Sequence, residues 1–341
     1  MEIPTKMTAW LYKPGHSNYV MDKNYQIRQL KDDEILLKVS ACGVCHSDVL
    51  VLSGLTLETR TYVAGHEISG KPVRLGSQVD KRIQLEKLYS VLAVDKRTRG
   101  TKDQPALFNT IGLGKDGGYA EYVIVKADDL VEVPEGVSAE AAAVASDAGT
   151  TSYSAVKHTA GITNGDKVLI FGIGGLGHLA VQFAKHLGAT VYACDFKPAA
   201  RKLALDLGAD AAFDLIELTE KTKSGFAVDC TIDFVASSQT FQLGMAALSG
   251  NDMEYPAKSK LVMVGGSDEN LSFTTPSTIA SGIQILSSAY GPRSAMEEVL
   301  QLFAKGTIHP HFTVEGLKNV GKAINELRAF EITGRKVIVP S

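Results

Sequence analysis

The chain has 341 residues, 45% of them apolar and 21% charged, and a formal net charge of −3. That length exceeds what one hydrophobic core serves and predicts two domains, while the near-neutral balance excludes a broad basic face for nucleic acid. Four cysteines are too few for a disulfide scaffold of this size, so a reducing, cytoplasmic setting is expected, with thiols as ligands or core fillers.

The opening MEIPTKMTAW lacks a basic region followed by an apolar run, so no signal peptide is expected. No stretch is apolar enough to span a bilayer. To about residue 145 the chain carries short β-type runs between glycine and aspartate turns, such as EILLKVS at 34–40 and YAEYVIV at 119–125. A mostly β first domain is predicted. Within it, ACGVCHSDVL (41–50) places Cys42 and Cys45 in C-x-x-C spacing, followed by His46, Ser47 and Asp48. AGHEISG (64–70) offers His66 and Glu67 between two glycines. Lys96, Arg97, Arg99 and Lys102 form a local basic cluster that reads as a solvated loop. ASDAGTTSY (145–153) offers Asp147.

Zinc catalysis needs three protein ligands and one open position. Cys45, His66 and Asp147 would supply sulfur, nitrogen and oxygen donors, with Glu67 as an alternate oxygen. Taken singly, each has a plainer role. A buried cysteine packs, a His-Glu pair is structural, and an aspartate before Gly-Thr-Thr caps a helix.

The pattern then changes. KVLIFG (167–172) is a short apolar run opened by the turn NGD, and a helix follows with Leu179, Ala180, Phe183, Ala184 and Leu187 on one face, stopped at Gly188. Between them FGIGGLGHLA places Gly172, Gly174 and Gly177 in a G-x-G-x-x-G pattern. Following a strand and opening a helix, that pattern predicts a dinucleotide cradle: a tight turn, close backbone approach to a pyrophosphate, and close helix–strand packing. TVYACD (190–195) is the next strand and PAARKLALDL the next helix, closed by Gly208. Asp195 lies 18 positions after Gly177, where an acid receives the ribose 2′-hydroxyl of NAD and repels the 2′-phosphate of NADP. Lys197, close behind, works against that repulsion. AVDCTID (227–233), KLVMVGG (260–266) and IQILSSAY (283–290) are further strands. Strands alternating with helices predict an α/β, parallel sheet covered on both faces. The tail from 291 carries helix patterns at AMEEVLQLFAKG and GKAINELRAF and ends in KVIVPS. Its residues alone leave open whether it extends the sheet or returns to the first domain.

CGVCHSD, GHE, DGGYAEYV, SDAGTTSY and GIGGLG, in this order over nearly the whole chain, resemble the medium-chain, zinc-dependent alcohol dehydrogenase family. The resemblance implies a GroES-like β-barrel catalytic domain over 1–150 and 291–341, and a Rossmann dinucleotide-binding domain over 151–290. It implies Cys45 and His66 as catalytic zinc ligands and Asp147 at the third-ligand place, usually a cysteine. Members with aspartate there are often secondary-alcohol dehydrogenases or ketone reductases. Glu67 would be the nearby acid that approaches the metal, and Asp48 the acid that orients the ligand histidine. Ser47 would take the substrate proton, His46 would lie beside the cofactor phosphates, and Thr151 against the nicotinamide. Gly175, Leu176, Val264 and Ser287 join the cofactor set, and Cys42 has no metal role.

Two departures stand out. Residues 84–110, where many members hold a structural zinc with four cysteines, contain no cysteine, so one zinc and no structural site are expected. The places where some members continue a proton relay hold Val49 and Leu50. The resemblance implies reversible hydride transfer between NAD(H) and a small alcohol or carbonyl compound, by a homodimer or homotetramer. The alternatives are a polyol dehydrogenase with the same zinc and NAD, a zinc-free quinone or enoyl reductase, and a dinucleotide-binding scaffold without activity.

Overall fold

A computed structural model describes residues 4–54, 59–94, 110–248, 259–275 and 282–340. The chain divides into two compact units, Met1–Thr150 with Gly291–Gly306 and Pro310–Ser341, and Thr151–Tyr290 with Thr307–His309.

The first unit is built on the 11-residue strand Glu34–Val44. Its sequence EILLKVSACGV is apolar or small at most positions, and only Lys38 and Ser40 escape burial. Glu67–Leu75 pairs antiparallel along one edge, while Tyr122–Lys126 and Arg335–Val339 share the other. Breaks in register at Leu36/Leu37 and Val39/Ala41 bend this ladder. The seven-stranded sheet is completed by Tyr89–Val91, Leu130–Glu132 and Phe312–Gly316. A separate three-stranded sheet joins Val20–Gln26, Lys6–Tyr12 and Tyr62–Val63. The core gathers Ile35, Leu37, Val44, Ile68, Tyr119 and Ile338, with Ile324 and Leu327 from the tail helix Val320–Arg328.

The run expected at 34–40 thus continues through ACGV. Cys42 sits within the strand, opposite Ile68 and Ile338, and belongs to the apolar core. Cys45 lies past the strand end and is the N-cap of the helix His46–Leu52. The two members of C-x-x-C therefore occupy different kinds of backbone.

The second unit is a doubly wound α/β sheet, as expected. Six parallel strands run in the order Ala211–Phe213, Thr190–Cys194, Lys167–Phe171, Cys230–Asp233, Lys260–Met263, Gln284–Ser287. This strand order reverses beside Lys167–Phe171, where such sheets bind ligands at the carboxyl ends of their strands. The helices Gly177–His186 and Pro198–Asp206 end near Gly188 and Gly208, which take the left-handed conformation at φ 88° and 100°. Ala211–Phe213 was not among the expected strands; three residues, two of them alanine, carry no usable periodicity. The helix Leu215–Lys223 was also unforeseen, although its capping box, Asp214 with Glu217, is legible locally.

Thr307–His309 group with the second unit rather than with the rest of the tail. The Gln182 amide explains this: its Oε1 accepts from the His309 N–H at 2.8 Å and its Nε2 donates to the His309 carbonyl at 3.0 Å.

Candidate active site: a buried ligand cluster and a glycine cradle

Three pieces of backbone bring the candidate ligands together in the first unit. Cys45 starts a helix, His66 immediately precedes the strand Glu67–Leu75, and Glu67 opens it. Asp147 lies in a widened, π-type turn, Ala145–Gly149, that follows the helix Ala139–Val144. Such turns carry an extra residue and re-aim side chains, and they concentrate at functional sites. Two buried hydroxyls tie that helix to the sheet: Ser69 donates to the Ala139 carbonyl at 2.6 Å and Ser90 to the Ala142 carbonyl at 2.8 Å.

Cys45, His66, Glu67 and Asp147 each offer a donor atom, and the four atoms lie within 4.8 Å of one another, all in buried residues. Asp147 Oδ2 is 3.3 Å from His66 Nε2 and 3.8 Å from Cys45 Sγ. The Ser47 hydroxyl lies 3.6 Å from the same sulfur. His66 is fully buried, yet neither of its ring nitrogens makes a hydrogen bond among the described residues. Two orphaned nitrogens at such depth are costly unless a ligand satisfies them. Burial works to lower the His66 pKa, but the neighbouring side chains of Asp147, Asp48 and Cys45 outweigh it and hold it well above the usual value. Burial likewise pushes the Cys45 thiol up, and the charges of Arg335 and His66 reverse this, leaving it below its usual value. The cluster therefore stabilises positive charge at its centre and thiolate at its edge. With S, N and O donors, it fits a divalent zinc.

Glu67 is differently engaged. Arg335 Nε donates to Glu67 Oε2 at 3.0 Å, and its Nη2 donates to Oε1, forming a two-pronged buried ion pair. Gly43 makes room for it, since a Cβ there would collide with the Glu67 carboxylate. Sequence reasoning missed Arg335, which lies 268 residues from its partner and in no motif.

Asp48 is fully buried behind His66. Its Oδ1 is 3.6 Å from His66 Nδ1, and its Oδ2 accepts from the Cys45 backbone N–H at 3.1 Å. Two phenols also donate to it, Tyr119 to Oδ2 at 2.7 Å and Tyr19 to Oδ1 at 3.2 Å. Burial first, and the Asp48 charge second, push both phenols well above their ordinary value, so each keeps the proton it donates. Neither tyrosine was singled out from sequence, although Tyr119 lies inside DGGYAEYV. Cys42 is absent from the ligand group, and burial pushes its thiol well above the ordinary value. His46 is exposed and lies against Phe330, with ring centroids 5.6 Å apart. Val49 packs against the apolar core. A cavity of about 630 Å³ in this unit, bordered by Tyr25, Arg28, Arg60 and Tyr122, contains none of the candidate ligands. Part of the expected lobe at 84–110, residues 95–109, lies outside the described residues.

In the second unit, Gly172 follows Phe171 with φ 82° and its Cβ position is 2.7 Å from Val235, so only glycine fits. A Cβ on Gly174 would meet nothing within 4 Å, which leaves the loop open to a ligand. Gly175 and Leu176 follow, and the Leu176 carbonyl accepts from the Ser152 hydroxyl at 2.9 Å. A Cβ on Gly177 would collide with the Gly172 carbonyl. The expected result for Gly177→Ala is a displaced loop: dinucleotide affinity, measured by fluorescence titration, falls, and kcat drops on the order of 10²-fold as the misplaced cofactor loses its reacting geometry. An unchanged affinity would contradict a phosphate-binding role.

Asp195 follows Cys194 at the carboxyl end of its strand. Its Oδ2 accepts from the Ile173 N–H and its Oδ1 from the Lys197 N–H, both at 2.8 Å, which fixes the carboxylate beside the loop. Arg201 donates to the Asp195 carbonyl at 2.9 Å. Val264, whose N–H donates to the Asp233 carbonyl at 2.8 Å, lies just past the strand Lys260–Met263, and Ser287 ends the neighbouring strand opposite Met263. Thr151 is buried in this unit.

The chain is similar to known proteins along most of its length. A family model described as alcohol dehydrogenase GroES-like domain matches residues 31–135, and one described as zinc-binding dehydrogenase matches 175–305. An alcohol dehydrogenase of Geobacillus stearothermophilus is 31% identical over 318 residues, covering 89% of this chain and 91% of that one. The structure of acetophenone reductase from Geotrichum candidum in complex with NAD superposes with a TM-score of 0.86 at 32% identity, covering 99% of this chain and 98% of that one. That of an alcohol dehydrogenase from Aeropyrum pernix gives 0.84 at 27% identity, covering 98% and 100%.

Proposed function

Because the chain belongs to the medium-chain, zinc-dependent alcohol dehydrogenase family, we propose that Cys45, His66 and Asp147 hold its single catalytic zinc and that NAD is preferred over NADP. The protein is an oxidoreductase that moves a hydride between a nicotinamide cofactor and a small alcohol or ketone. The observation that carries the ligand reading is the buried, unsatisfied His66 imidazole, with Asp147 at 3.3 Å and both residues grouped with Cys45.

When bound, zinc polarises the substrate oxygen as a Lewis acid, and the nicotinamide carries the hydride. Charge balance selects the oxygen donor. Glu67 is already neutralised by Arg335, whereas Cys45 and Asp147 as anions match the two charges of zinc. An oxygen donor is harder than a second thiolate and favours stronger polarisation of substrate. Ser47, whose hydroxyl lies 3.6 Å from Cys45 Sγ, takes the substrate proton and passes its own onward. Val49 and Leu50 offer no hydrogen-bonding side chain, so the proton leaves Ser47 by a route other than this helix.

Gly172, Gly174, Gly175, Leu176 and Gly177 cradle the pyrophosphate, and Asp195, turned toward the loop by its two backbone bonds, receives the ribose hydroxyls. Lys197 lies close to this carboxylate, so the preference for NAD is one of degree. The cofactor contacts of His46, Thr151, Val264 and Ser287 belong to the same proposal. So does the functional division into a catalytic part, 1–150 and 291–341, and a nucleotide-binding part, 151–290. The absence of cysteine from 84–110 supports one zinc per chain. Four free, buried cysteines fit a reducing cytoplasm. Gln284–Ser287, at the end of the parallel sheet, is an edge on which a homodimer or homotetramer would pair. No helix among the described residues is long and apolar enough to cross a membrane.

The test is kinetics with NAD and NADP across alcohols and ketones, with bound zinc counted in the same sample. Higher kcat/KM with NAD and one zinc per chain are expected. Equal turnover with NADP overturns the cofactor preference, and full activity of zinc-free protein overturns the metal reading.

A further inference from the structure

The fully buried Asp48 carboxylate stands between two kinds of neighbour. On one side is His66 Nδ1, 3.6 Å from Oδ1 and without a hydrogen bond. On the other are two buried phenols. Tyr119 reaches Oδ2 at 2.7 Å and also lies 3.2 Å from the Gly43 carbonyl. Tyr19 reaches Oδ1 at 3.2 Å and the Asp48 carbonyl at the same distance. The Cys45 N–H takes a further position on Oδ2. A carboxylate has about four lone-pair sites. Three donors occupy three of them, and the one left on Oδ1 is on the oxygen nearest the imidazole.

The Tyr119 ring does a second thing. Gly65 has φ 92°, and a Cβ there would lie 2.7 Å from that ring. Tyr119 therefore backs the peptide that delivers His66 and also fixes the acid behind it. Its backbone N–H donates to the Ala64 carbonyl at 2.8 Å, so the same residue holds both ends of the arrangement. Tyr19 and Tyr119 approach each other, with ring centroids 6.0 Å apart, and come from segments 100 residues apart in the chain.

We propose that Tyr119 and Tyr19 are positioning residues for the metal centre: their phenols hold the Asp48 carboxylate with an open Oδ1 site facing His66 Nδ1, ready to accept from that nitrogen when Nε2 is given to zinc. This rests on the zinc reading above and adds residues to it. A metal-bound histidine is oriented by the acceptor on its other nitrogen, and loss of such outer partners costs roughly 10- to 100-fold in metal affinity. Removing an oxygen one step further out, from the acid's own partner, acts through the same bond.

The experiment uses the full chain. Zinc affinity is measured by competition with a chromogenic chelator, and the cobalt-substituted protein is compared by visible absorption. Tyr119→Phe keeps the ring against Gly65 and removes only the hydroxyl. It is expected to weaken zinc binding about tenfold and to shift the cobalt bands. Tyr19→Phe, with its longer bond, is expected to do less, and the double variant more than either. In an Asp48→Ala background the same tyrosine changes are expected to have little further effect, because the shared acceptor is gone. Wild-type zinc affinity and cobalt spectrum in both single variants and the double variant, with only thermal stability lowered, would overturn the positioning role. If Tyr119→Phe does not fold, Tyr19→Phe carries the same test. A wild-type chain that binds no zinc overturns the metal reading, and this inference with it.

Discussion

Cys45→Ala is expected to abolish zinc binding and to lower kcat/KM at least about a thousandfold, while Cys42→Ala keeps its zinc and most of its activity. Metal polarisation is worth several kcal/mol of transition-state stabilisation, and about 4 kcal/mol corresponds to about a thousandfold in rate. The two cysteines differ in backbone and in surroundings. Cys42 is held in the strand Glu34–Val44, buried among apolar side chains, and its thiol is pushed up by that burial. Cys45 caps a helix, lies 3.8 Å from Asp147, and has its thiol held down by Arg335 and His66 against the effect of burial. Truncating Cys42 removes one packed sulfur and costs about 1 kcal/mol of stability, the scale of a small core deletion. Asp147→Ala should follow Cys45→Ala, and Glu67→Gln should retain zinc. Metal analysis with kinetics on the same preparations checks the set. Zinc lost from Cys42→Ala and kept in Cys45→Ala would reverse the assignment. Zinc kept in Asp147→Ala and lost in Glu67→Gln would move the oxygen donor to Glu67.

Arg335→Met should destabilise the zinc-free protein by about 3–5 kcal/mol, because it leaves the Glu67 carboxylate buried without its counter-ion. Glu67 is fully buried and Arg335 nearly so, and water reaches neither charge freely. The expectation includes a recovery. Pairing Arg335→Met with Glu67→Gln removes the orphaned charge and should regain most of the loss, since replacing both members of a buried pair is often close to neutral. Urea unfolding of the wild type, the single variants and the double variant gives the cycle. Additive losses with no recovery would show that Arg335 acts through packing alone. A loss below about 1 kcal/mol for Arg335→Met would show that the pair is solvated.

Much of this was legible locally. The glycine loop declares itself because two of its glycines answer a short-range demand, a positive φ at Gly172 and a carbonyl in contact at Gly177. Helix ends at Gly188 and Gly208 have the same origin. The donor types in CHSD, GHE and SDAG suggested metal chemistry from sequence, since ligand preference is a property of side chains, and the structure groups Cys45, His66, Glu67 and Asp147. What was less legible has two causes, one local and one distant. Ala211–Phe213 is too short and too alanine-rich to display a period, so only its neighbour Thr190–Cys194 marks it as a strand. Thr307–His309 join the second unit through Gln182, an amide whose partner no motif names.

By itself the sequence determined the alternation of strand and helix, the cradle's glycines, the chemical kinds of donor, and the lack of cysteine for a second metal site, all consequences of neighbouring residues. Tertiary structure alone decided which donors meet and which are already engaged. Asp147 arrives beside Cys45 from 102 residues away because a helix is pinned to the sheet by Ser69 and Ser90. Arg335 arrives beside Glu67 from 268 residues away because the last strand pairs with the end of Glu34–Val44. The phenols of Tyr19 and Tyr119 meet on Asp48 in the same way. Electrostatic pairing and hydrogen bonding act over a few ångströms. Sequence separations of a hundred residues or more carry no trace of them until sheet pairing closes the distance.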